Sequence, residues 1–184
     1  MPNNVRLTAV LLILATLIGC GTNAPRKLPV QAVDDLKVTA AMHSKCAFSV
    51  EFVDRRTDPQ NLGVIGKRAV IYPDFSKWFE LQLRARLRTQ ESNPKSPKLV
   101  VELAQAYMET NRSTLSFNIL ASVTSSVTGE LVATSPGRVY RGATTKVSWF
   151  GGDSETGAFI ERAAQELLTK LSTAEEKQCV ALDN

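Results

Sequence analysis

The stretch "KLVVELAQAYMETNRSTLSFNILASVT", Lys98–Thr124, holds two apolar runs separated by a short polar break. In the second run Leu115, Phe117, Ile119, Ala121 and Val123 alternate with Ser116, Asn118, Ser122 and Thr124. A period of two is that of a strand with one covered face and one solvated face. The first run, Lys98–Glu109, is apolar on both sides, with Leu99, Val101, Leu103 and Tyr107 opposing Val100, Ala104, Ala106 and Met108. That pattern predicts an interior strand. Asn111-Arg112-Ser113 supplies the turn, so the two runs form an antiparallel hairpin at the centre of a sheet.

Downstream, "TGE" at 128–130 turns the chain into a third extended stretch, Leu131–Ser148, interrupted by Ser135-Pro136-Gly137 and by Gly142. Ser154–Leu171 then carries Ile160, Ala163, Ala164, Leu167, Leu168 and Leu171 at helical spacing. Upstream, Phe75, Phe79, Leu83 and Leu87 recur every four residues with Trp78 beside them, a second amphipathic helix. Asp74 stands at its N-cap position, and Arg84, Arg86 and Arg88 at its C-terminal end complement the dipole. Before it, Phe48, Val50 and Phe52 mark a strand that ends at Asp54-Arg55-Arg56-Thr57-Asp58-Pro59, followed by a loop with Gly63 and Gly66. Asp34–Lys45 is ambiguous, with an edge strand as one reading of "DLKVTAAM". The order is β-α-β-β-β-α. It predicts an α+β two-layer sandwich, a mainly antiparallel sheet with two amphipathic helices on one face.

The N-terminus has a different character. Leu7–Ile18 is an apolar run of about 18 Å as a helix, short of the roughly 30 Å hydrocarbon core of a membrane, and only Arg6 precedes it as a charge. This is the arrangement of an export signal. Leu17-Ile18-Gly19-Cys20 resembles the lipobox of bacterial lipoproteins. The resemblance implies cleavage before Cys20, acyl chains on its thiol and a lipid anchor, since two or more chains hold a protein stably on a membrane. Gly21, where an aspartate retains many such proteins in the inner membrane, implies an outer-membrane destination facing the periplasm. The expected division is a signal peptide at 1–19, a lipidated tether at 20–33 and one periplasmic domain at 34–184 with a frayed C-terminal tail.

The chain has 22 Lys and Arg against 18 Asp and Glu; removing the leader takes Arg6 and leaves a net charge of +3. So mild a surplus in an exported domain argues against nucleic acid as a partner and leaves phosphate-bearing envelope components. With Cys20 acylated, Cys46 and Cys179 remain, and two thiols in an oxidising compartment are expected to bridge. Closing so long a loop stabilises by about 4–5 kcal/mol on the chain-entropy account. No metal or cofactor is expected: His43 is the single histidine, no CxxC pair occurs, and no phosphate-binding glycine loop is present.

Four groups of residues are candidates for function. Asp54 and Arg56, with Arg55 and Asp58, form a charged cluster at a strand end. Its competing reading is an ordinary set of exposed ion pairs worth under about 1 kcal/mol each. Lys77, Arg84, Arg86 and Arg88, with Lys95 and Lys98 beyond, make a basic helix face suited to lipid phosphates or simply solvated. Trp149-Phe150 is either an exposed interface pair or core under the last helix. The Gly151-Gly152 helix start offers a weak anion site. No nucleophile-and-base arrangement accompanies any of them, and the expectation is a protein without catalytic activity.

The lipobox, the strand ending in Val53-Asp54-x-Arg56, the later Gly63, the helix "FELQLRARL", the hairpin and the final helix together resemble the YajG-type outer-membrane lipoproteins over about residues 46–172. The resemblance implies a lipid-anchored periplasmic domain of a family with no established activity; the Cys46/Cys179 pair lies outside the family pattern. A looser similarity is to lipoproteins that activate peptidoglycan synthases, whose tethers are longer. The combined expectation is a protein that binds another envelope component, an envelope protein above all. The alternatives are an accessory lipoprotein of a lipid or lipopolysaccharide transport or assembly machine and, behind it, a cell-wall enzyme.

Overall fold

A computed structural model describes residues 26–27, 46–87, 89, 96–127, 133–134, 137–147 and 153–182. In chain order the elements are β1 (Arg26–Lys27), β2 (Ser49–Asp54), β3 (Asn61–Ile65), β4 (Arg68–Ile71), α1 (Phe75–Leu87), β5 (Lys98–Asn111), β6 (Thr114–Val127), β7 (Ala133–Thr134), β8 (Arg138–Val147) and α2 (Asp153–Leu182). The strands form one sheet, and both helices cover the same face of it. This is the two-layer α+β sandwich.

The β5–β6 hairpin is the spine, with antiparallel register from Lys98↔Ser126 to Asn111↔Thr114. On its far side β8 pairs antiparallel with β6 from Thr114↔Val147 to Val123↔Arg138, and β7 follows along the same edge. On the near side β2 runs parallel to β5, from Ser49↔Lys98 to Asp54↔Leu103. The antiparallel ladders dominate, but the sheet is mixed.

Two sequence expectations need correction here. The loop assigned between Asp54 and the first helix contains a strand hairpin, β3–β4. Gly63 read as a loop glycine because its neighbours form very short apolar runs. In the fold it has φ +104°, and a Cβ built on it would stand 2.1 Å from the Met108 carbonyl oxygen. Only glycine lets β3 approach the backbone of β5 at the single register point Gly63↔Met108. Gly66, φ +63°, makes the hairpin turn.

The second correction is in β5. Its register jumps between Leu103↔Ala121 and Gln105↔Leu120, a β-bulge at Ala104. The extra residue changes the phase, so Leu99, Val101 and Leu103 and then Ala106 and Met108 are buried, whereas Tyr107 is turned out and 41% exposed. What reads as a strand apolar on both sides is a strand with one covered face and a bulge.

The core lies between sheet and helices. Leu115, Phe117, Ile119, Ala121 and Val123 of β6 are fully buried, as are Phe75, Phe79 and Leu83 of α1 and Ile160, Ala163, Ala164, Leu167 and Leu171 of α2. Phe75 meets Phe117 edge-on, with centroids 6.4 Å apart, and Phe52 and Phe79 lie 5.8 Å apart. Gly142, opposite Ile119, lets α2 settle directly on β8: a Cβ there would fall 2.0 Å from the Ala163 carbonyl oxygen.

The tail expected to fray is helix. α2 continues eleven residues beyond Leu171 to Leu182. Leu168, Ser172, Glu175 and Cys179 extend the buried stripe, and Cys179 is bonded to Cys46, with Cα atoms 6.3 Å apart. Arg26–Lys27, inside the stretch expected to be tether, pair in parallel with β4. The export signal, Cys20, His43, Arg88, Lys95 and Trp149–Gly152 lie outside the described residues.

Candidate functional site

The charged cluster at the end of β2 is a structural joint. Arg56 grips Asp54 with two parallel bonds, Nε to Oδ1 at 2.9 Å and Nη2 to Oδ2 at 2.7 Å. The same guanidinium donates to the Pro59 carbonyl at 2.8 Å and to Ser76 Oγ at 3.0 Å, and stacks 5.0 Å over the Phe75 ring. Ser76 closes the ring by donating to Asp54 Oδ2. The side chains are 6% and 12% exposed. Burial alone would push the Asp54 carboxyl up; the bonds from Arg56 and Ser76 outweigh it and hold the group below the usual carboxylate range. The turn therefore fixes where β2 ends relative to the start of α1. The pair is not an ordinary exposed ion pair: both side chains are largely buried, although Arg56 also lines the polar cleft beside Arg55.

Arg55, one residue earlier, points the other way. It is 63% exposed and bonds Glu102 across the sheet at 2.6 Å. A polar cleft of about 410 Å³ opens beside it, where β2 leaves β5 at Leu103 and β3 joins it at Met108. Arg55, Asp58, Asn61, Gln105 and Tyr107 line it. The Asp58 carboxylate is engaged by the backbone N–H groups of Gln60 and Asn61. Among the described residues no group of His, Cys, Asp and Glu has the spacing of a metal site.

A second buried network went unread in the sequence. Glu175, 2% exposed, accepts from Arg138 Nε at 3.2 Å and Nη2 at 2.6 Å and from the Tyr140 hydroxyl at 2.9 Å. Burial, reinforced by the neighbouring Glu175 carboxylate, pushes the Tyr140 hydroxyl up to about 12. This network clamps β8 to the last turns of α2 beside the disulfide. The helical spacing of Leu168, Ser172, Glu175 and Cys179 is the signal that marks it.

The basic face of α1 is partly consumed. Arg84 pairs with Glu80 at 2.9 Å, and Arg86 reaches α2, donating to Thr169 at 2.8 Å and to Gln165. Lys77 is exposed.

What stays open is the sheet face away from the helices. Among the described residues no helix covers it. Tyr107 and Val139 stand on it at 41% and 64% exposure, with Ser116, Asn118 and Ser122 between them in register. Its rim and surface are laced by Glu51–Lys98 at 2.8 Å, Arg55–Glu102, and Arg141 to Asn118 at 2.5 Å. The Lys98 partnership holds Glu51 below its usual value.

No family model matches the chain, and no curated protein resembles it in sequence. Its fold is similar to that of a DUF330-family protein from Xanthomonas campestris, with a TM-score of 0.55 at 11% identity over 85% of this chain and 98% of that one. A Caulobacter crescentus protein provisionally classed as a lipoprotein aligns at a TM-score of 0.47 and 12% identity, covering 72% of this chain and 90% of that one. At these identities the similarity is one of fold. Within the described residues no helix is long and apolar enough to cross a membrane.

Proposed function

We propose that this is a lipid-anchored outer-membrane protein without catalytic activity, whose periplasmic domain binds an envelope protein through its open sheet face. One observation carries the reading. Among the described residues the sheet is covered on one side by both helices and on the other by none, and there Tyr107 and Val139 flank a band of mostly small polar side chains. An antiparallel face of this kind is either solvated or covered by a partner, and Tyr107 and Val139 set among small polar side chains, with ion pairs such as Glu51–Lys98 and Arg55–Glu102 around them, match the apolar centre and polar rim of a non-obligate interface. The opposite side supports the same choice over lipid handling: Gly142 brings α2 down onto β8, and the fully buried side chains of β6 fill the layer between sheet and helices.

Anchoring rests on the lipobox Leu17–Cys20, and the outer-membrane destination on Gly21. Membership of the YajG-type lipoproteins is part of the proposal. Its supporting residues, Asp54, Arg56 and Gly63, have structural work that a family would need to keep: one joint and one close backbone approach. The test is photo-crosslinking in cells from single positions. Residues 118 and 139 on the open face are expected to capture an envelope protein, while Arg162, on the exposed side of α2, does not. Capture from 162 with none from 118 or 139 would overturn the assignment of the surface.

A further inference from the structure

We infer that the end of the sheet made by the β3–β4 and β5–β6 turns rests on the anionic phospholipid surface of the membrane that holds the acyl chains. The disulfide end then points away from it. The inference builds on the reading of Cys20 as the lipidated residue.

The path of the chain gives the orientation. β1 lies parallel to β4 with Arg26 opposite Val70 and Lys27 opposite Ile71, so followed backwards from Arg26 the chain heads toward Arg68 and the Gly66–Lys67 turn. Arg26 lies six positions after Cys20. Fully extended that span reaches about 20 Å, and as flexible coil about 13 Å. By contrast β5 alone, Lys98–Asn111, separates the two ends of the sheet by about 45 Å. A tether this short, leaving β1 toward the turn end, favours that end as the one nearest the bilayer.

That end has the charge to stay there. The Gly66 N–H donates to Thr110 Oγ1 at 3.2 Å, tying the β3–β4 turn to the end of the hairpin where Arg112 sits at φ 54°. Lys67, Arg68 and Arg112 are all exposed, and among the described residues none of them has an ion-pair partner. Arg26 and Lys27 occupy the neighbouring register positions on β1. Across 61–71 and 105–117 the only acidic residue is Glu109. At the opposite end Lys98 pairs with Glu51 at 2.8 Å and Arg138 with Glu175 at 2.6 Å, leaving Lys177 exposed, while at the turn end Lys146 lies 3.6 Å from Glu155. A basic residue held near an anionic surface contributes roughly fivefold in partition, so three contribute about a hundredfold at low salt. With a screening length of about 8–10 Å, only the turn end feels that field.

The acylated full-length protein in vesicles tests this. Ser113→Cys at the turn end and Gly137→Cys at the opposite end would each carry a donor dye, with an acceptor on the lipid headgroups. In vesicles containing phosphatidylglycerol, the dye at 113 is expected within about 20 Å of the bilayer and the dye at 137 beyond about 40 Å. Raising salt, or combining Lys67→Gln, Arg68→Gln and Arg112→Asn, should loosen the 113 distance without detaching the protein. Equal distances from the two positions, or distances indifferent to phosphatidylglycerol and salt, would overturn the inference. Intact mass of the same preparation separates the two layers: absence of acyl chains on Cys20 removes the anchoring reading and this inference with it. Acyl chains present with 137 as close as 113 would remove the inference alone.

Discussion

Replacing Arg56 by Ala should cost far more stability than replacing its neighbour Arg55. Arg56 is 6% exposed and makes two bonds to Asp54, one to the Pro59 carbonyl and one to Ser76, while stacking on Phe75. Removing it leaves the Asp54 carboxylate, itself 12% exposed, without its counter-ion. Breaking a buried pair from one side costs about 3–5 kcal/mol, mostly through the charge left behind. Arg55 is 63% exposed and holds only Glu102, so Arg55→Ala should cost about 0–1 kcal/mol. The pH dependence adds a second signature. Asp54 titrates in the fold below its ordinary value near 3.9, so the unfolded chain takes up the proton first as pH falls. The contribution of the pair is complete above about pH 5 and is lost as pH falls through the folded value. In Arg56→Ala the guanidinium's charge and bonds are gone and only the Ser76 hydroxyl and the residue-56 N–H still oppose burial, so Asp54 titrates higher than in wild type and the gap between variant and wild type should narrow below about pH 4. Urea unfolding followed by far-UV circular dichroism at pH 7 and pH 3.5 measures both. A cost for Arg56→Ala no greater than for Arg55→Ala would refute the joint, as would a gap that does not change with pH.

Gly142→Ala should destabilise by roughly 1–3 kcal/mol or more, because its Cβ would meet the Ala163 carbonyl oxygen at 2.0 Å, whereas Gly157→Ala on α2, with open space around it, should stabilise by roughly 0.5–1 kcal/mol; thermal melts of the two variants compare them directly. Phe117→Ala in the core should cost about 3–5 kcal/mol and Asn118→Glu, one residue along and beside Arg141 on the open face, less than about 1 kcal/mol. Equal losses in urea unfolding would mean that the face is not open.

The sequence shows the spine of this fold clearly where its patterns are long. β6 alternates over ten residues, and both helices carry unbroken apolar stripes through Leu87 and Leu171. It misleads where a single residue changes the phase. The bulge at Ala104 leaves Leu103 and Ala106 on one face and expels Tyr107, which no count of alternation reveals. β3 and β4 are five and four residues long, too short for periodicity to show, and the glycine that makes β3 possible is a residue ordinarily read as a loop. The end of α2 was hidden for a different reason. Glu175 and Ser172 are polar residues on a buried stripe, and only the partner Arg138, thirty-seven positions away, explains why Glu175 can be there. The candidate site shows the same division. Asp54 and Arg56 stood out as charges, but whether two adjacent arginines face solvent or core is a question of packing, answered by Phe75 and Ser76. The open face was legible from Ser116, Asn118, Ser122 and Thr124; the apolar Tyr107 and Val139 that make it a candidate interface were not.

The anchoring on which the proposed function rests is tested most directly by Cys20→Ser, expressed with its export signal and followed through fractionation of the envelope. The wild-type protein is expected with the outer membrane, with an intact mass that includes acyl chains. The variant should appear in the soluble periplasmic fraction with its fold and the Cys46–Cys179 bond intact. A variant that is exported yet still sediments with the outer membrane in the same proportion as wild type would contradict a lipid anchor at Cys20.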